Sequence, residues 1–220
     1  MPNDAEMEKK VKAAQQDVAD LREKITGLDD LSLDLMFRKA RSHNAWQDKP
    51  VTDATLNELY ELMKWGPTAN NACPARITFV KSDEGKEKLV SCLMPNNETK
   101  VRTAPCVAII SYDMKFYEQM PKLLPFRPDA NQRFIDNPKL IGPFAFRNGT
   151  LQGAYLIFAA RAIGLDAGPM SGFKNPAVDE AFFKGTDVKS NFICALGYAD
   201  ETGIFQRLPR FEFDEACQIV

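Results

Sequence analysis

The chain has 220 residues, and 28 Lys and Arg against 30 Asp and Glu leave a formal net charge of −2. That length suits one large domain, and 45% apolar with 26% charged residues excludes global disorder. The missing basic excess argues against a nucleic-acid binder. Five scattered Cys with no Cys-x-x-Cys, beside a single His, support neither a disulfide framework nor a structural zinc site.

The first 30 residues lack the apolar core of a signal peptide, so a cytoplasmic protein is expected. No apolar run approaches the ~20 residues of a membrane span. Met1–Ile25 is highly charged, with Met7, Val11, Ala14, Val18, Leu21, Ile25 and Leu28 spaced alternately by four and three. That spacing is a heptad seam on one helical face. The stripe is too narrow to build a core, so a docked solvated arm and a coiled coil both stay open. The expected organisation is a helical arm over 1–30 and a domain over 31–220.

Leu31–Lys39 continues as a short amphipathic helix. Thr52 is placed to cap a helix over Asp53–Trp65, which Gly66-Pro67 stops. Arg76–Val80 and Val107–Tyr112 read as strands, with a charged helix around Glu84–Leu93 between them. Lys115–Leu124 reads as helix. Pro121–Pro143 holds five of the 14 prolines and predicts an irregular excursion or lid. Phe144–Ile163 is a central helix, apolar almost all round, with Gly164 as its stop. Asn191–Tyr198 is a further buried strand. Strands separated by helices predict a mixed α+β sandwich around a small sheet.

Four segments are too polar and too punctuated by Gly and Pro to be plain connectors: Arg41–Trp46, Gly66–Pro74, Gly168–Phe173 and Arg207–Arg210. Arg41 and Ser42 suit an anionic group, since a guanidinium pairs bidentately and a hydroxyl adds a donor. Arg207 and Arg210 add positive charge from the far end. Thr68, Asn70 and Asn71 offer donors and acceptors to a planar heterocycle. Gly168 and Gly172 let backbone approach something flat. Neither a dinucleotide fingerprint nor a phosphate loop is present.

In this order, the segments resemble the FMN-dependent nitroreductases. The resemblance rests on Arg41-Ser42, on Gly66-Pro67-Thr68-x-x-Asn71-x-x-Pro74 before a strand, on Gly164-Leu165-Asp166 leading to Pro169–Phe173, and on the basic tail. The blocks Arg41–Trp46, Cys73–Arg76 and Leu165–Phe173 look most like the branch that includes malonic semialdehyde reductases. The resemblance implies a nitroreductase-like three-layer α+β sandwich with a central mixed sheet. It implies a homodimer with two FMN sites at the subunit interface and NADH or NADPH as reductant. Arg41, Ser42 and Asn44 would contact FMN, and Pro67, Thr68, Ala69, Asn70 and Asn71 would cover its ring. Asn97 and Lys100 would lie near the flavin pyrimidine, with Lys100 as the cation opposite a reduced, anionic ring. Pro169, Met170, Ser171 and Gly172 would lie against the ring, and Arg207 and Arg210 would bind phosphate. Cys73 and Ala75 stand where many members have Gln and Trp, which reshapes the substrate face. A small-molecule acceptor is expected: a semialdehyde such as malonic semialdehyde, or a nitro or enone compound. Arg76 or Arg147 is available for a substrate carboxylate. A flavin-binding or flavin-supplying protein without its own substrate is the alternative, and an interaction module built on the arm is a third reading.

Overall fold

Helix α1 (Asp4–Lys24) opens a computed structural model that describes residues 4–220; the first three positions of the expected arm lie outside the described residues. Asp29 caps α2 (Asp30–Leu33) by accepting from the Ser32 N–H at 2.7 Å, and a π-helical turn, Asp34–Arg38, follows. Arg38 closes this N-terminal unit, with ion pairs of 2.9 Å to Asp30 and 2.7 Å to Asp34. The unit ends at Ala40, so residues 30–38 group with the arm, and Arg41–Val220 form the second unit.

In the second unit, Thr52 caps α3 (Asp53–Met63) by accepting from the Thr55 N–H. Then come β1 (Ala75–Val80), α4 (Asp83–Val90), α5 (Glu98–Thr103) and β2 (Cys106–Asp113). Short helices α6 (Met120–Leu123) and α7 (Gln132–Asp136) precede the long α8 (Ile141–Ala162). The chain closes with β3 (Asp166–Met170), α9 (Asn175–Phe183), β4 (Val188–Gly197) and the one-turn α10 (Phe213–Ala216). Among the described residues no helix is long and apolar enough to cross a membrane.

The strands form one sheet in the order β1-β2-β4-β3. Every hydrogen-bonded pair is antiparallel, which corrects the expected mixed sheet. The cause is topological. β2 and β3 do run the same way, joined through α8, but β4 inserts between them and opposes both. Period-two alternation then sorts the core onto two faces. Cys106, Ala108 and Ile110 meet α3 and α8 through Leu59, Met63 and Leu156. Val107 and Ile109 meet α4, α5 and α9 through Leu89, Val101 and Val178. The result is the expected three-layer α+β sandwich.

The proline-rich stretch is more ordered than its composition suggests. Three of its five prolines, Pro121, Pro128 and Pro138, sit at the start of a short helical turn, where the missing N–H costs nothing. Phe116, Met120, Phe134 and Ala145 give this region its own core, with Phe116 stacked on Phe144 at 5.1 Å and edge-on to Phe134 at 4.9 Å.

Candidate functional site

Most candidate residues gather at the outer edge of β3. The Arg41–Trp46 segment runs beside that edge, the His43 N–H donating to Ala167 O at 3.1 Å, and Trp46 bridges to Ala199. His43 Nε2 lies 3.2 Å from Asp166 Oδ1, and Asp166 Oδ2 accepts from the Ala199 N–H at 2.9 Å. Burial pushes the Asp166 carboxyl up, but the hydrogen bonds from His43 and Ala199 outweigh it and hold the carboxyl below its usual value. Gly168 is required here: a Cβ would stand 2.5 Å from His43 O. Asn44 Nδ2 donates to Gly203 O at 3.2 Å, tying the segment to the start of the C-terminal tail.

The same strand leads to the second group. Asn97 Nδ2 and the Met94 N–H both donate to Gly172 O, at 3.0 and 2.9 Å, so Asn97 and the 169–172 segment form one structure. A Cβ on Gly172 would fall 2.3 Å from Asn97 Nδ2. Lys100 is half-buried one helical turn further along. Pro169 and Met170 belong to β3, where an edge position tolerates proline. Met170 is buried in the α4, α5 and α9 core, so only its backbone faces outward.

The third group is the loop after α3. Asn70, Asn71 and Cys73 all have positive φ, at 54, 48 and 41°. Asn tolerates that region, whereas Cys does not favour it, and such strain persists only where the surroundings over-determine it. They do so here. Thr68 Oγ1 accepts from the Cys73 N–H at 3.2 Å, and Asn71 Nδ2 donates to Leu123 O at 2.8 Å. Two buried amides on α8, missed from the sequence, hold the loop's ends. Asn148 Oδ1 accepts from the Ala69 N–H at 2.8 Å, and Gln152 Oε1 from the Ala75 N–H at 2.9 Å. Their signal is two amides four apart in a helix that is apolar almost all round. Beside the loop lies a cleft of about 640 Å³, walled by Tyr60, Met63, Cys73, Ile77 and Phe79. Arg76, expected to face a substrate carboxylate, is engaged by its own strand: Nη2 pairs with Asp113 at 2.7 Å and Nη1 donates to Ala75 O at 2.9 Å. Arg147 is exposed on α8.

Within one chain these groups do not meet. The loop is held on the α3 and α8 side at the β1 edge, while Asn97 and Gly172 lie on the α4 and α5 side at the β3 edge. Three strand spacings of ~4.8 Å, roughly 14 Å, separate the two edges. Arg207 and Arg210 are exposed in the tail beyond Gly203, and Arg210 Nη1 donates to Pro209 O at 3.0 Å.

The nitroreductase family model matches residues 37–198 of this chain. A Cupriavidus pinatubonensis protein named as an NADH dehydrogenase/NAD(P)H nitroreductase is 54% identical over 189 residues, covering 85% of this chain and 96% of its own. A Ralstonia pickettii protein of the same description is 53% identical over 192 residues, covering 86% and 97%. An Exiguobacterium sibiricum nitroreductase crystallised with FMN superposes with a TM-score of 0.78 at 20% identity, covering 88% of this chain and 98% of that one.

Proposed function

The chain belongs to the nitroreductase family, and we propose that it is an FMN-dependent NAD(P)H oxidoreductase whose flavin sits between two copies. The reading rests on the separation of the candidate groups: a ring contacted both by the 67–71 loop and by the β3 edge needs the loop of one copy beside the β3 edge of another. The outer surface of α3 and α8 supports it. Tyr60 and Leu62 on α3, Trp65 just after it, and Phe146, Leu151 and Tyr155 on α8 are exposed apolar side chains.

The donor set fits the group. Arg41 and Ser42, with Arg207 and Arg210 from the tail, suit a phosphate dianion. Asn44 and Asn97 spend their NH₂ groups on backbone carbonyls, which fixes each side chain and leaves Oδ1 as an acceptor for a ring N–H. Asn70 and Asn71 sit on a strained, well-anchored loop that would cover the ring with little reorganisation. Lys100 supplies positive charge where negative charge develops on reduction. When bound, the flavin supplies two-electron transfer between a nicotinamide and an oxidised acceptor. The chain's own part is to bind, orient and neutralise; nothing in this scheme calls for a side-chain acid.

The acceptor is a small oxidised molecule, a semialdehyde such as malonic semialdehyde, or a nitro or enone compound. Cys73 and Ala75, in place of larger side chains, widen the space beside the loop. With Arg76 engaged by Asp113, Arg147 is the cation left for a substrate carboxylate. Anaerobic NADH and NADPH turnover across a panel of aldehydes, enones and nitroaromatics tests the reading. The expected result is yellow protein and acceptor-dependent oxidation. Protein that retains no flavin and takes up no added FMN overturns the proposal, and flavin without acceptor turnover favours a flavin carrier.

A further inference from the structure

Helix α1 lies outside the family-matched residues. It is 21 residues long, about 32 Å at ~1.5 Å per residue, and residues 5–24 of it are exposed. Most helical stability in proteins comes from packing an apolar face rather than from propensity. Its seam stands open: Met7, Val11, Val18 and Leu21 are exposed, Val18 by 61% and Leu21 by 56%. The side-chain contacts within the helix lie off the seam, Lys10 to Glu6 at 2.7 Å and Gln16 to Asp20 at 2.7 Å.

We propose that this seam pairs with the same helix of a second copy, as a parallel, in-register, two-stranded coiled coil. With Val11 as position a of the heptad, Val11, Val18 and Ile25 occupy a, and Met7, Ala14 and Leu21 occupy d. β-branched residues at a favour two parallel strands where Leu stands at d, as Leu21 does here. Charge selects the direction. Lys10, Asp17 and Lys24 fall at g, and Glu8, Gln15 and Arg22 at e. Parallel pairing sets Asp17 of each copy against Arg22 of the other, and Lys10 against neutral Gln15. An antiparallel pair that buries the same seam in the matching register sets Asp17 against Asp17 and Lys10 against Lys24, and only its Glu8–Arg22 contact is attractive, whereas parallel pairing makes no like-charge contact among these positions. The occupant is thus a second copy of this chain, in one orientation.

Cysteine cross-linking in the full-length flavin-loaded protein tests this. In a parallel, in-register pair, Val18→Cys meets its own equivalent across the seam, whereas Gln16→Cys at f points away. Val18→Cys is expected to form covalent dimer at least tenfold faster than Gln16→Cys, after subtracting the background of the unchanged chain, whose Cys217 is exposed. Equal rates overturn the proposal. A second variant, Val11→Glu with Val18→Glu, should lose the far-ultraviolet signal of about 21 helical residues; unchanged helicity and melting overturn it as well. Flavin absorbance of that variant reports separately on the site between copies, so the two readings fail independently.

Discussion

Asn148 does more than its place in an apolar helix suggests. Its side chain is 3% exposed, accepts from the Ala69 N–H and donates to Phe144 O. Asn148→Leu keeps the volume but strands the Ala69 donor, at a cost of about 1–2 kcal/mol. Thermal unfolding should register that loss, and flavin occupancy, read as the ratio of flavin to protein absorbance, should fall with it. Asp166 carries a pH signature. Its carboxyl is held below its unfolded value, so its contribution to stability is present above about pH 4 and fades as pH falls through the folded value. Asp166→Asn should therefore flatten the acid side of the stability curve while changing the neutral side less in slope; denaturant melts at several pH values measure this. The thiols divide by burial. Desolvation pushes Cys106 and Cys194 up to about 12, so alkylation of the folded protein should label Cys217 and spare both until the chain unfolds.

At the scale of elements, two glycines separate backbone need from ligand need. Gly172→Ala places a Cβ 2.3 Å from Asn97 Nδ2 and should push that amide off Gly172 O, lowering flavin occupancy. Gly164 stops α8 at φ 79° with open space around it, so Gly164→Ala should cost about 1 kcal/mol and leave occupancy intact. Flavin titration and thermal melts of the two variants distinguish these outcomes. Elements with a strong period were legible in the sequence. α3 begins at its Thr52 cap, and α8 and β2 lie close to where their apolar runs put them. β3 was not legible, because Gly168 and Pro169 suppress strand propensity and only the pairing with β4 makes it a strand. Missing β3 also hid the insertion of β4, and with it the antiparallel sheet. The candidate residues were legible as polar, punctuated segments. Their grouping was not, since the bonds that make it, His43 to Asp166, Asn97 to Gly172 and Ala69 to Asn148, span long stretches of chain.

The whole molecule places its candidate ligand groups at opposite edges and on opposite faces of a four-stranded sheet. An apolar surface on α3 and α8 lies on the same side as the 67–71 loop, and the tail from Phe205 onward is exposed with its own apolar side chains, Phe205, Leu208, Phe211 and Phe213 among them. In the proposed arrangement a second copy would cover both features at once. Complementation tests this most directly. Asn71→Ala alters the loop, and Arg41→Ala alters the β3 edge; each variant alone should bind FMN weakly and turn over slowly. If each flavin is gripped by the loop of one copy and the β3 edge of the other, co-expressed chains that form mixed dimers carry one doubly altered site and one intact site. Flavin occupancy and turnover of the purified mixed dimer should then recover to about half of the unaltered protein. No recovery above the two parents would place both groups in the site of a single chain and contradict the account.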